Sequence, residues 1–304
     1  MLPLVYHPHY SPSFPENHRF VMSKFVRLHD YVQSIGLVGS NNLFEPKAAT
    51  FNELCLAHDK DYLSGATHHS LDPKAWRRIG LPWSEGLIQR TYLAPQGTLL
   101  SARLALKHGL ASHLAGGTHH SHRDFGSGFC ILNDLAYTAL SLLHHGEAER
   151  VLIFDLDVHQ GDGTATILQT SQHVYTCSIH CEKNFPFRKA KSDLDIGIEV
   201  GIKDQHYLEL VEETIHQLLD KLEPDIVLYD AGIDIWENDA LGKLCISWEG
   251  LHERDDIVLQ ACINRHIPVC TVIGGGYDKD HEHLARRHGI VVERAARLYQ
   301  QLLS

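Results

Sequence analysis

The sequence predicts an α/β fold: a single domain over residues 1–304, with a central parallel β-sheet flanked by helices and an active site at the C-terminal ends of the strands. Three observations predict it. Short apolar runs recur, at Val151–Phe154, Ile226–Tyr229 and Val269–Ile273, and unbroken runs of this length mark strands covered on both faces. Helical patterns separate them, and strands alternating with helices imply a parallel sheet with right-handed crossovers. Each run also leads into polar chemistry, at Asp155–His159, Asp230–Asp234 and Gly274–Tyr277. In sheets of this kind ligands sit beyond the carboxyl ends of the strands.

Taken in order, Leu4–Tyr6 reads as a short first strand, followed by the proline-punctuated loop His7–Pro15 and a helix over about residues 18–35. Thr50 and Glu53 stand at capping-box spacing. Residues 64–93 hold Trp76, Trp83, two prolines and three glycines and show no clear period. They read as an irregular surface loop near a site, because passive connections of that length are uncommon. A helix over about 95–108 places Leu100, Leu104 and Ala111 at helical spacing. Beyond the strand at 151, residues 173–179 read as the next strand, and 182–195, with Phe185-Pro186-Phe187, as a loop. A helix over 205–222 lines up Leu208, Val211, Ile215, Leu218 and Leu222 as a core-facing stripe. Another covers about 249–265, and helices close the chain. There is no internal repeat, linker or low-complexity segment.

Composition narrows the function classes. A formal charge of −11 argues against non-specific nucleic-acid binding, which needs a basic surface, and is compatible with a cationic substrate. Seven cysteines without a CxxC pair read as free thiols in a reducing compartment. No basic-then-apolar leader and no run of about 18 apolar residues is present, so the expectation is a cytoplasmic protein without a membrane span.

The chemistry concentrates after Phe154. Residues two apart on a strand share a face, so Asp155, Asp157 and His159 project together from a buried strand end. Buried charges need partners or a metal, and this strand carries no basic residue. Oxygen and nitrogen donors without thiolate suit a catalytic zinc, iron or manganese better than a structural zinc. Tandem histidines occur at His68-His69, His119-His120 and His144-His145, and only the middle pair is framed by glycines on both sides. Those glycines let the backbone turn closely around a ligand.

In combination, Gly116-Gly117-Thr118-His119-His120, Gly128-Phe129-Cys130, Asn133-Asp134, Asp155-Leu156-Asp157-Val158-His159-Gln160-Gly161-Asp162, Ala231-Gly232-Ile233-Asp234 and Gly274-Gly275-Gly276-Tyr277 resemble, in order, the motifs of the zinc-dependent histone deacetylase family of arginase-like fold. The resemblance begins at Phe14-Pro15-Glu16-Asn17, covers nearly the whole chain, and is closest to class IV-like and bacterial members. It implies one Zn2+ held by Asp157, His159 and Asp234, with His119 and His120 as paired imidazoles and His120 as general base and acid. It implies further that Asp155 supports His119, Asp162 supports His120, Tyr277 donates to the oxyanion, and Gly128 and Phe129 line the substrate channel. A K+ site formed by Asp155, Asp157, His159, Ser178 and Ile179 is implied by the resemblance alone. The implied reaction removes an acetyl or longer acyl group from an N-acyl-lysine of a protein or peptide; a small acylated amine such as an acetylpolyamine is the alternative. The loop Cys181–Lys191 departs from the family's substrate loop, and Thr118 and Ser121 put polar atoms beside the histidine pair. A dimanganese arginase-like ureohydrolase shares the fold but needs further Asp or His ligands in place of His119-His120 and Tyr277. A non-catalytic binding protein would be expected to have lost ligands or the tyrosine, and none is missing.

Overall fold

The computed structural model describes residues 1–302. In chain order its elements are β1 (Leu4–Val5), α1 (Lys24–Ser34), β2 (Leu43–Phe44), α2 (Phe51–Leu54), α3 (Lys60–Thr67), α4 (Pro73–Ile79), α5 (Glu85–His108), β3 (Leu110–His113), α6 (Asp134–His144), β4 (Val151–Asp155), α7 (Asp162–Leu168), β5 (Val174–Cys181), β6 (Leu194–Ile198), α8 (Asp204–Leu222), β7 (Ile226–Asp230), α9 (Trp248–Ile263), β8 (Val269–Val272) and α10 (His281–Leu302). The strands form one eight-stranded sheet in the order β2-β1-β3-β8-β7-β4-β5-β6. Every pairing is parallel.

Burial explains the sequence pattern. Every residue of β3, β4, β7 and β8 is buried, as helices on both faces require. The edge strand β6 alternates half-buried and exposed residues and includes Gly197, and so it carries no apolar run by which to recognise it. The loop expected over 182–195 therefore gives way to this strand at Leu194.

The expected irregular stretch 64–93 is corrected most. It contains the end of α3, all of α4 and the first turns of α5. Asp72 caps α4 with Pro73 in its first turn and Gly80 in the left-handed conformation at its end. Ser84 caps α5 by accepting from the Leu87 N–H. The helix runs through Pro95, so that proline is no boundary, and Ala111 lies in β3 rather than on the helix stripe. Helix α1 starts at Lys24, after an irregular segment, and a single long helix closes the chain. The capping box at Thr50 and Glu53 is formed. All seven cysteines are free. Among the described residues no helix is long and apolar enough to cross a membrane.

The segment after β7 is fixed from behind by a buried ion pair. Arg254 on α9 lies 2.9 Å from Asp255 and donates to the carbonyl oxygens of Ala231 and Gly232, while the Tyr229 hydroxyl donates to the same carboxylate. Arg254 and Asp255 are both fully buried. Breaking a buried pair leaves an uncompensated charge, at a cost of about 3–5 kcal/mol. Asp255→Ala is therefore expected to lower unfolding stability by that amount in denaturant titration; a loss below about 1 kcal/mol would contradict it.

Candidate active site

Four neighbouring strands deliver the site. The order β3-β8-β7-β4 puts the segments after these strands side by side at one rim of the sheet. His119-His120 follow β3, Gly274–Tyr277 follow β8, Asp234 follows β7, and Asp157 and His159 follow β4. Glycines let these segments touch. Gly117 and Gly274 both have positive φ (83° and 59°), and a Cβ on Gly117 would lie 2.5 Å from the Gly274 Cα.

Asp157, His159 and Asp234 converge as the motif predicts, their ligating atoms lying within 4.8 Å of one another and all buried. His159 Nδ1 stands 3.1 Å from Asp157 Oδ1 and 3.1 Å from Asp234 Oδ2. One ring nitrogen carries at most one proton and cannot satisfy two carboxylates. Asp234 Oδ2 indeed has no well-formed hydrogen bond. The remaining oxygens are committed: Asp157 Oδ2 accepts from the Gly275 N–H at 2.7 Å, and Asp234 Oδ1 from the Val158 N–H at 2.9 Å. Burial opposes charge on His159, but the two carboxylates outweigh it and raise the imidazole to about 9. Burial, with the charge of Asp157, pushes Asp234 up to about 7. A nitrogen and two carboxylate oxygens facing one point, one of them orphaned, fit a divalent cation well.

The two histidines form a second layer. His119 Nδ1 donates to Asp155 Oδ2 and His120 Nδ1 to Asp162 Oδ1, each at 2.7 Å. Their Nε2 atoms face each other at 3.2 Å, so at most one proton lies between them. Burial and the neighbouring His119 lower His120 to about 4 and keep it neutral. Burial opposes charge on His119 too, but Asp155 and Asp157 raise it well above the usual range. A neutral imidazole beside a charged one is the state a general base needs.

Tyr277 lines the same narrow cavity as Asp157, His159 and His120. Burial, then the charges of Asp234 and Asp157, raise its hydroxyl well above 10, so it stays a proton donor. Phe129, at φ 65°, packs 5.9 Å from the Tyr277 ring. Gly128 sits against His120, where a Cβ would lie 2.6 Å from the imidazole. Ser178 pairs with Asp155 across β4 and β5, and Ile179 follows it. The polar atoms of Thr118 and Ser121 turn away from the chemistry: Thr118 binds Asp134, and Ser121 donates to the Ile131 carbonyl.

Several residues of the rim escape sequence reasoning. Phe185 stands edge-on to His120 at 4.8 Å and beside Gly128, although its loop carried no motif. Lys24 and Arg90, both buried, come from helices distant in sequence and line the cavity. Asp230 lies under Gly117 and Gly274 with both oxygens unpartnered. With His119 and Asp155 it makes a second group of close ligand-type atoms, but the imidazole there is already bonded to Asp155. Asp239 accepts from the Tyr277, Leu241 and Gly242 amides.

Comparisons with known proteins give the family. The model of the histone deacetylase domain matches residues 18–293. The chain belongs to the histone deacetylase family. An uncharacterized protein of Picosynechococcus sp. is 48% identical over 97% of this chain and 98% of its own length. Histone deacetylase 2 of Arabidopsis thaliana is 30% identical over 91% of this chain and 74% of its own length. The acetoin utilization protein AcuC of Staphylococcus aureus is 29% identical over 79% of this chain and 67% of its own. A solved histone deacetylase homolog complexed with SAHA superposes with a TM-score of 0.80 at 25% identity, covering 97% of this chain and 84% of that one. Membership makes this histone deacetylase-family chain a hydrolase acting on amide bonds.

Asp239 holds three amides with one carboxylate, and leaving them unsatisfied costs about 1–3 kcal/mol each before relaxation. Asp239→Ala is expected to lower stability by roughly 2 kcal/mol and to reduce turnover by loosening Tyr277. Wild-type stability and turnover in that variant would remove Asp239 from the site's support.

Proposed function

We propose that the chain is a zinc-dependent deacylase that removes an acetyl group from an N-acyl-lysine side chain or a similar acylated primary amine. The observation that carries this is the orphaned donor set Asp157, His159 and Asp234 facing the neutral His120 and the protonated Tyr277 in one cavity. Zinc in that set supplies Lewis acidity to the amide carbonyl and brings the pKa of a water towards 7. His120, its Nδ1 bonded to Asp162, takes the proton of the attacking water on Nε2 and returns it to the leaving amine. Tyr277 donates its hydroxyl to the oxygen that gains charge, commonly the largest single contribution in acyl transfer. Asp155 holds His119 as the positive neighbour that keeps the general base neutral.

Phe129 and Phe185 flank the approach to His120 and would grip an alkyl stem rather than a polar one. The cavity holds only ≈ 30 Å³, room for about two waters, and Lys24 and Arg90 are among the side chains that line it. A long alkyl tail would have to displace two buried cations, so acetyl is favoured over the longer chains that the sequence left open. The adjoining K+ reading rests on the Asp155–Ser178 pairing and the family resemblance.

Three measurements test this reading. On zinc-loaded protein, acetyl-lysine peptide is expected to turn over at least tenfold faster than myristoyl-lysine peptide, with acetylpolyamine as the third arm; faster demyristoylation would reverse the acyl assignment. Tyr277→Phe is expected to cut kcat by on the order of a hundredfold or more with the metal retained. Metal analysis is expected to give one zinc per chain, abolished in Asp234→Ala. Two ions per chain with no deacylation would favour an arginase-like ureohydrolase instead.

A further inference from the structure

Asp162 has two oxygens, and the reading above uses one. The second, Oδ2, lies 3.2 Å from Nε2 of His122. We propose that His122 is a positioning residue of the site, a second imidazole that clamps Asp162 from outside and acts through it on the orientation and charge of His120. The inference rests on the assignment of His120 as general base.

Asp162 sits between two rings, with His120 at 2.7 Å on the cavity side and His122 at 3.2 Å on the solvent side. Burial alone would raise this carboxyl, but hydrogen bonds from both imidazoles outweigh it and hold it well below the usual range. An ionised carboxylate only accepts, so Nε2 of His122 carries a proton. The other nitrogen, Nδ1, lies 2.7 Å from the Thr166 hydroxyl, which also lies 3.0 Å from the Gly163 carbonyl. That hydroxyl has one proton and two acceptors within reach. When His122 is neutral, Thr166 donates to Nδ1. When His122 is protonated, Nδ1 donates to Thr166, which turns its own proton to Gly163. Both ring nitrogens of His122 thus keep a hydrogen-bond partner in either protonation state, and the bond to Asp162 stays in both.

The ring is placed for exchange with solvent. Its side chain is 13% exposed, against 6% for His120. It borders a surface cavity of ≈ 280 Å³ that Arg123, Asp124 and Gln169 also line. Phe125 stacks on it at 4.1 Å, and Arg78 lies over the far side of that ring. The groups facing His122 are therefore Asp162 and Thr166 from α7, Arg123 and Asp124 from its own loop, Arg78 across Phe125, and His58 from behind. His58 bonds the His122 carbonyl oxygen at 2.9 Å and is held neutral, burial lowering it to about 4. Asp162 is hydrogen-bonded both to this ring and to His120 in the catalytic cavity. A charged His122 draws on the negative charge of Asp162 that otherwise stabilises protonated His120; a neutral one leaves it to His120.

The test uses the full chain and two readouts. The imidazole of His122, assigned by its loss in His122→Gln, is titrated by NMR in nitrogen-15 histidine-labelled protein. Asp162→Asn is expected to lower its midpoint by roughly one pH unit, because an adjacent anion is removed. An unchanged midpoint overturns the proposal, and this measurement needs no turnover, so it stands apart from the deacylase reading. Second, on acetyl-lysine peptide, His122→Phe is expected to lower kcat about tenfold with KM within about twofold, as loss of an outer hydrogen-bond partner does. His122→Gln, whose amide donates to the same oxygen, is expected to recover kcat to within about threefold of wild type. Equal kcat in wild type and His122→Phe overturns the positioning role. So does a loss in His122→Gln as deep as in His122→Phe, and where the phenylalanine variant does not fold, the glutamine variant and the titration decide.

Discussion

Negative charge packed beyond the ends of apolar strands is the constraint on which the site depends. Asp155, Asp157, Asp230 and Asp234 are all buried at one rim. Their repulsion is poorly screened there, because the rim is dry and bounded by the core. Two imidazoles, His119 and His159, stand between them. Asp230 has no hydrogen-bond partner; burial and the charge of Asp155 push it well above the usual carboxylate range. Protonated groups and a cation are the two ways such a rim reaches neutrality. The orphaned oxygen of Asp234 belongs to the group of side chains that could hold a cation there.

The same electrostatics assigns roles to groups of identical type. Two adjacent histidines share a backbone turn, yet His119 lies among carboxylates and is driven towards charge, whereas His120 is buried beside a cation and stays neutral. Tyr277 faces carboxylates and keeps its proton. Lys24 is buried against the Gly274 carbonyl, where burial lowers it to about 8. None of these differences lies in the residue type; each lies in the neighbours.

The parts of the fold legible in the sequence were those with strong local patterns. β4 and β7 are uninterrupted apolar runs that end in acid, and α8 shows its buried stripe at helical spacing. Residues 64–93 were not legible, because α3, α4 and the start of α5 are short or polar and punctuated by Gly80 and Pro82. Their helical conformation is stabilised by caps at Asp72 and Ser84 and by packing, not by periodicity. Strand β6 escaped because Asp195 and Gly197 interrupt its apolar residues, leaving only the short alternation Leu194, Ile196, Ile198 in place of a continuous apolar run. In the site, Asp157, His159 and Asp234 were legible because motif and strand end coincide. Phe185 and Asp239 were not, since each joins the rim from a segment with no pattern of its own, and Lys24 was not, since a helical pattern does not show that its first residue reaches the rim.

By itself the sequence determined the elements that carry chemistry and the side chains each presents, because alternation along a strand and glycine at a turn are local properties. It also determined the family, since the order and wording of the motifs survive without any coordinates. What only the tertiary structure decided is the strand order that seats β3, β8, β7 and β4 side by side, and hence which charges meet. Pairing between strands far apart in the chain is set by packing of the whole core. Protonation follows distance and burial, and neither is defined until that core closes.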